Sequence, residues 1–331
     1  DPPLEPGAEL LIEIEFFQKV RRHMGRAGYR GRHYDFAQWY PKVAVHDERG
    51  WHAEPFHDLG EFYGEFASYD VSISLPGDYV VAATGELVEG DPGWVRAARQ
   101  RPAYRASVER RAPGVDEPAS PLPVKKVRFR AEQVHDFAWS ADPEFVIERG
   151  QHGDVPIRVF IRKGNVSHWT GVVLERTQHA LAWLEERFGP YPYPQLTVVD
   201  ALLRGGMEYP MLVMVGRERE SLIVHEVSHV YLYGILANNE YAEPWLDEGF
   251  TSFITRWYMT ERYGPGGLNP DDLPAYARWA RHAPARDRAQ VDVLRVARQG
   301  LDEPVATVAH RFRDRPNYRT MSYTKGALVF E

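Results

Sequence analysis

His225-Glu226-Val227-Ser228-His229, followed by Trp245-Leu246-Asp247-Glu248-Gly249-Phe250, is the part of this 331-residue chain that says most about its fold and chemistry. On a helix, residues i and i+4 lie about 40° apart in projection and ~6 Å apart in rise. His225 and His229 placed this way can meet on one metal ion. Glu226 projects about 60° from His229, which suits reaching a water on that metal rather than ligating it. A catalytic zinc needs a third protein ligand and one open position. Glu248 offers the third ligand, after the eighteen residues 230–247. Chance gives the His-Glu-x-x-His pattern roughly 0.04 times in a chain of this composition, and roughly 0.004 times with a Glu at one fixed offset. Leu222, Ile223, Val224, Val227, Val230 and Leu232 make the segment apolar nearly all round. The helix is therefore expected to be buried, where His and Glu need strong partners; a shared cation satisfies all three.

Around this segment the second half of the chain alternates strands and helices. Ile157, Val159 and Ile161 mark a strand, and 166–188 reads as a helix stopped by Gly189-Pro190. A short apolar strand is expected over 195–202 and helices over 221–236 and 244–263, Pro244 suiting a first helical turn. The arginine-studded stretch 275–299 reads as a further helix. The first half reads as β-structure. Leu10, Ile12, Ile14 and Phe16 alternate with Leu11, Glu13, Glu15 and Phe17, the period of a strand with one buried face. Val71, Ile73 and Leu75 alternate likewise, as do Val127, Phe129 and Ala131; a strand begins at Tyr79 after the turn Pro76-Gly77-Asp78. The Pro-rich stretch 112–123 reads as an exposed loop. The expected class is α+β with two domains: a β-rich domain over 1–150 and a catalytic domain over 151–331. The chain opens almost directly into a strand pattern and stops at Glu331 inside an apolar helical one, so it reads as a piece of a longer protein.

Composition narrows the chemistry. Hydrophobic residues make up 44% and charged residues 26%, an ordinary globular balance. With 40 basic and 47 acidic groups the net charge is −7, opposite in sign to what a nucleic-acid binder usually carries. Cysteine is absent, which removes thiol nucleophiles, thiolate metal sites and disulfides, and suits cytoplasm and periplasm alike. No apolar run approaches the ~18–20 residues of a membrane helix. Only 6 lysines stand beside 34 arginines.

These residues resemble the zinc aminopeptidases of the aminopeptidase N type. In that family a His-Glu-x-x-His motif is followed, after eighteen residues, by a glutamate ligand in a Trp-Leu-x-Glu-Gly-Phe segment. Upstream the family carries Gly-x-Met-Glu-Asn; here Gly205-Gly206-Met207-Glu208-Tyr209 matches except that Tyr209 replaces the Asn. Downstream it has a tyrosine before Lys-Gly-Ala, matched by Tyr323-Thr324-Lys325-Gly326-Ala327. The motifs span 205–327 in the family's order. The resemblance implies a saddle-like β-domain followed by a thermolysin-like catalytic domain. It implies one Zn2+ per chain on His225, His229 and Glu248, with Glu226 as general base and Tyr323 as donor to the oxyanion. Glu208 would capture the free α-amino group, while Gly205, Gly206 and Met207 let an extended peptide lie close, the 207–215 strand pairing with it by edge addition.

The activity this implies is hydrolysis of the N-terminal peptide bond of peptides with a free N-terminus. Two rivals remain: a non-catalytic peptide-binding protein of the same fold, and a metallohydrolase of that fold acting as an endopeptidase or on a non-peptide substrate such as an epoxide. The intact Glu226 and Tyr323 speak against a mere binder, which needs no base. Lesser signals are the acid–histidine cluster Asp47, Glu48, His52, Glu54, His57 and Asp58, read as a polar loop, and Ser252, a candidate partner for a metal ligand.

Overall fold

The computed structural model describes residues 4–23, 25–99, 123–273 and 283–331. The expected 112–123 loop falls almost wholly outside them, as does the 275–282 part of the expected arginine-rich helix.

Up to Asp142 the described chain is built from antiparallel strands. β1 (Gly28–Arg30), β2 (His33–Phe36), β3 (Val45–Asp47), β4 (Gly50–His52), β5 (Ala67–Pro76), β6 (Val80–Ala83), β7 (Glu86–Glu89), β8 (Val124–Val134) and β9 (Trp139–Asp142) are joined by one short helix, α1 (Trp94–Arg99). They form sheets ordered β1-β2-β9-β6 and β5-β8-β7, plus the β3-β4 hairpin. The alternation in β5 and β8 is realised across the ladder, Ile73 opposite Val127 and Val71 opposite Phe129, with Ile73, Val127 and Phe129 buried. Cross-strand pairs of this kind are what stabilises a sheet.

From β10 onward the architecture changes. β10 (Val146–His152), β11 (Val155–Ile161), β12 (Leu196–Asp200), β13 (Gly206–Tyr209) and β14 (Leu212–Val215) form one sheet in the order β10-β11-β12-β14-β13. Its middle pairs are parallel and both edge pairs antiparallel. Helices α2 (Val166–Trp169), α3 (Val172–Phe188), α4 (Glu220–Leu236), α5 (Phe250–Tyr263), α6 (Ala285–Arg298), α7 (Arg315–Arg319) and α8 (Gly326–Val329) complete the described chain. α4 lies against β13, β14, α3 and α5. One apolar core joins both parts, containing Ile73, Phe129, Ile157, Leu184, Val224 and Ile254. No helix among the described residues is long and apolar enough to cross a membrane.

Three local expectations are corrected. Residues 8–20 form no strand: Leu11 is 84% and Phe17 94% exposed, and no ladder pairs with them among the described residues. Alternation marks two faces, but a strand also needs a hydrogen-bonding neighbour. The 166–188 helix is two helices, because Thr170 is extended and Gly171 takes φ +80°. The 207–215 strand is a hairpin, β13 and β14, turned at Pro210-Met211 with Met211 at φ +60°.

The two parts are tied by a buried polar node. His33 Nε2 lies 2.9 Å from Asp35 Oδ1 and its Nδ1 3.1 Å from Asp142 Oδ2. Asp35 also accepts from Ser140 Oγ (2.7 Å) and from the Leu202 amide (3.0 Å), on the segment that leads into β13. Burial lowers the His33 pKa, but its hydrogen bonds to the Asp142 and Asp35 carboxylates outweigh it and raise the group to about 9. A histidine whose folded pKa exceeds its unfolded value stabilises fully below the unfolded pKa, about 6.5, and loses that contribution as pH rises through the folded one. Urea midpoints are therefore expected to fall between pH ~6.5 and ~9, by on the order of 2–3 kcal/mol in stability. In His33→Gln that slope flattens; an unchanged slope would refute the assignment.

Candidate metal centre

α4 is held at its start by the buried Glu220. Its carboxylate accepts from Tyr258 Oη (2.6 Å) and Asn269 Nδ2 (2.7 Å) and pairs with Arg262 Nε (3.0 Å). Tyr258 and Arg262 belong to α5, so the two helices are locked side by side where the histidines sit. Before α5 the chain makes a turn of π-helix, Trp245–Gly249. Such turns re-aim side chains at functional sites. Here it turns Asp247 and Glu248 inward, both buried.

His225 Nε2, His229 Nε2 and Glu248 Oε2 form a near-equilateral triangle with edges of 3.1, 3.2 and 3.2 Å. Tetrahedral zinc with bonds of about 2.0–2.1 Å separates its ligand atoms by about 3.3–3.4 Å. His229 Nδ1 donates to Asp247 Oδ1 at 2.5 Å, and His225 Nδ1 faces Thr255 Oγ1 at 3.4 Å, a hydroxyl that itself donates to the Thr251 carbonyl. With both Nδ1 atoms facing acceptors, both Nε2 lone pairs converge with a carboxylate oxygen on one point. That donor set fits a zinc ion, and the Asp247 bond is the support such imidazole ligands commonly have. A second grouping, Glu208, His229 and Asp247, also brings its donor atoms within 4.8 Å of one another. It is the weaker set, because Asp247 already binds the Nδ1 proton.

The surroundings are electronegative. Burial, followed by Glu208 and Glu248, holds the Glu226 carboxyl well above its ordinary range. Burial and the nearby Glu208 likewise raise Glu61 to about 8, against the pull of Arg26. A divalent cation among these carboxylates reverses that penalty. Glu226 is 3% exposed on the α4 face beneath Gly206. A Cβ at Gly206 would meet the Glu226 carboxylate at 2.2 Å, so any larger residue there would push the Glu226 side chain from its place. A Cβ at Gly205 would meet nothing within 4 Å.

Tyr323 donates a hydrogen bond to Glu248 Oε1, and its ring stacks on His225 with centroids 6.0 Å apart. Burial, then the Glu248 charge, raises its phenol well above the ordinary value, so it stays a donor. A bare helix contact brings it there: a Cβ on Gly249 would come within 2.9 Å of Gly326. The Gly of the Lys-Gly-Ala segment thus lets the tyrosine approach the Glu248 carboxylate.

Glu208 and Met207 line the same cleft, of about 940 Å3, as Gly205, Gly206, His225, His229, Glu226, Glu248 and Tyr323. Tyr209 alternates away and packs in a separate apolar cluster with Ala37 and Leu212, so it does not replace an Asn side chain in the cleft. Ser252 lines the cleft, while Asp247 and Thr255 hold the histidines. Sequence reasoning missed those two, and also Arg26 and Glu61, a fork-shaped ion pair in the cleft wall. Asp247 was visible as the residue beside Glu248; Arg26 and Glu61 carry no local signal. Of the His52 cluster, Asp47 and His52 lie on the β3–β4 hairpin and pair at 2.9 Å, Glu54, His57 and Asp58 follow it outside any strand, and the cluster makes no metal grouping among the described residues.

No family model matches the chain. Mouse aminopeptidase B is 34% identical over 106 residues, 29% of this chain and 16% of that protein. Leukotriene A-4 hydrolase of Xenopus laevis is 32% identical over 98 residues, 27% of this chain and 16% of that protein. The matches thus reach about a sixth of the curated relatives' length. A crystal structure of an M1 zinc metallopeptidase from Deinococcus radiodurans superposes with a TM-score of 0.56 at 17% identity, covering 93% of this chain and 59% of that one. A point mutant of a two-domain M1 zinc metallopeptidase, bound to L-arginine, gives 0.50 at 17% identity, covering 81% of this chain and 52% of that one.

Proposed function

From the premise that this chain has the two-domain fold of the M1 zinc metallopeptidases, we propose that it carries the active site of a zinc-dependent aminopeptidase. Its substrates would be peptides with a free N-terminus, cut at the first peptide bond. Zinc held by His225, His229 and Glu248 would polarise the scissile carbonyl and acidify the attacking water. Glu226 takes that water's proton and passes it to the departing amine. Tyr323, kept protonated by burial, turns its O–H from Glu248 toward the developing oxyanion. β13 is a sheet edge, so an extended substrate can pair along it.

The observation that carries the exopeptidase reading is the position of Glu208. A carboxylate oxygen of this residue lies within 4.8 Å of a His229 ring nitrogen. An ammonium bound to Glu208 would leave about one residue between it and the metal, which fits removal of a single N-terminal residue.

The test is an aminoacyl-nitroanilide assay with free and N-acetylated substrates, before and after chelation. Free-amine substrates should exceed blocked ones by about 100-fold, and chelation should abolish both activities. Glu208→Ala should raise KM for the free-amine substrate about 10–100-fold, the value of a charge-assisted hydrogen bond. Equal rates on free and blocked substrates would point to an endopeptidase instead.

A further inference from the structure

The chain is acidic overall, yet one flank of its cleft is arginine. Arg204 leads into β13, Arg217 and Arg219 lie between β14 and α4, and all three are exposed and line the cleft. The two loops are clipped together by the Gly216 amide on the Gly205 carbonyl at 2.9 Å. Glu218, between the two loop arginines, does not line the cleft. Several arginines elsewhere are taken up by carboxylates, Arg128 by Asp70, Arg162 by Asp200 and Arg187 by Glu261, while others, Arg30 and Arg319 of the cleft among them, are not. These three have no ion-pair partner among the described residues.

Their place follows from the direction of the substrate. Glu208 marks the amino end. Gly206, in van der Waals reach of Glu226, marks the level of the scissile bond. The leaving part of an extended peptide therefore continues past Gly206 toward the bent segment 202–205, which carries Arg204. The acids that line the cleft gather around the histidines and near one another: Glu208, Glu226, Glu248 and the Arg26-paired Glu61. Asp58 is the exception, beside Arg315, which donates to its carbonyl.

We propose that Arg204, Arg217 and Arg219 receive a carboxylate carried two to three residues beyond the scissile bond, making acidic peptides the favoured substrate class. This rests on the aminopeptidase reading. The carboxylate can be a Glu or Asp side chain or the C-terminus of a short peptide, and the probes separate the two.

The complete zinc-loaded protein is assayed on Ala-Ala-Glu-Glu-Ala-amide and its Gln-Gln and Lys-Lys counterparts, with Ala-Ala-Gln as amide and as free acid. At about 10 mM salt the Glu-Glu peptide should exceed the Gln-Gln peptide about tenfold in kcat/KM, mostly through KM, and exceed the Lys-Lys peptide by more. The gap should shrink at about 0.5 M salt, where the Debye length is only a few ångströms. A gain for the free acid alone would assign the site to the terminal carboxylate. Arg204→Glu with Arg217→Glu should turn the preference toward the Lys-Lys peptide, an inversion that mere loss of folding does not produce. Binding of the same peptides to the Glu226→Gln protein, read by fluorescence anisotropy, gives a readout independent of turnover. If the nitroanilide is cleaved but all peptides are used and bound equally, this inference falls and the aminopeptidase reading stands. If no substrate is cleaved yet the Glu-Glu peptide binds tightest, the activity reading falls and the arginine site stands.

Discussion

Glu226→Gln is expected to lower kcat by a thousandfold or more while the protein still holds one zinc per chain. The amide is close in shape to the carboxylate and keeps an acceptor oxygen, so the fit beneath Gly206 is preserved. What it loses is the ability to take a proton from water and return it to the leaving amine. General acid–base catalysis contributes ~10²–10⁴ in rate, and in the proposed mechanism one residue serves in both directions. The three converging donor atoms belong to His225, His229 and Glu248, so metal content should not change. Metal analysis beside steady-state kinetics checks both halves. A variant keeping more than a tenth of kcat would place the base elsewhere.

Glu248→Ala should do the opposite to the metal: zinc content should fall well below one per chain, and peptide hydrolysis should disappear with it. Two Nε2 atoms 3.1 Å apart would remain. A neutral two-imidazole site lacks both the third ligand of a catalytic zinc and the negative charge that favours a dication. Tyr323 would also lose its hydrogen-bond acceptor and His225 a partner. Because bound metal stabilises only the folded state, chelation should lower the melting temperature of wild type but hardly that of the variant, and added zinc should raise the variant's melting temperature less than it raises wild type's. Zinc stoichiometry by atomic absorption and melting with and without chelator decide it. Full zinc retention would mean that Glu208 and Asp247 form the working set instead.

What could be read locally in the chain follows the geometry of regular elements. The i, i+4 spacing placed His225 and His229 on one face, because every α-helix turns by the same angle per residue. The apolar surround of that motif implied burial, and α4 is buried on nearly every side. The alternations of β5, β8 and β11 predicted inward faces and were met. Leu10–Phe17 shows where this reasoning ends. Its alternation is as regular as that of β5, but no neighbouring strand takes up its hydrogen bonds among the described residues. The helix break at Gly171 and the hairpin at Met211 depend on positive backbone angles that composition only hints at.

The site itself divides along the same line. The candidate donors and the candidate base could be named from the chain, since imidazoles and carboxylates at those spacings have few other uses in an apolar helix. Their convergence was decided only in three dimensions. The π-turn at Trp245–Gly249 aims Glu248. The Gly249–Gly326 contact delivers Tyr323 from 75 residues away. Asp247 and Thr255 orient the rings, and Arg26–Glu61 reaches in from the β-rich part across a junction held by Asp35. Each of these joins segments far apart in the chain, and a linear pattern records the period of an element but not which other element it will be packed against.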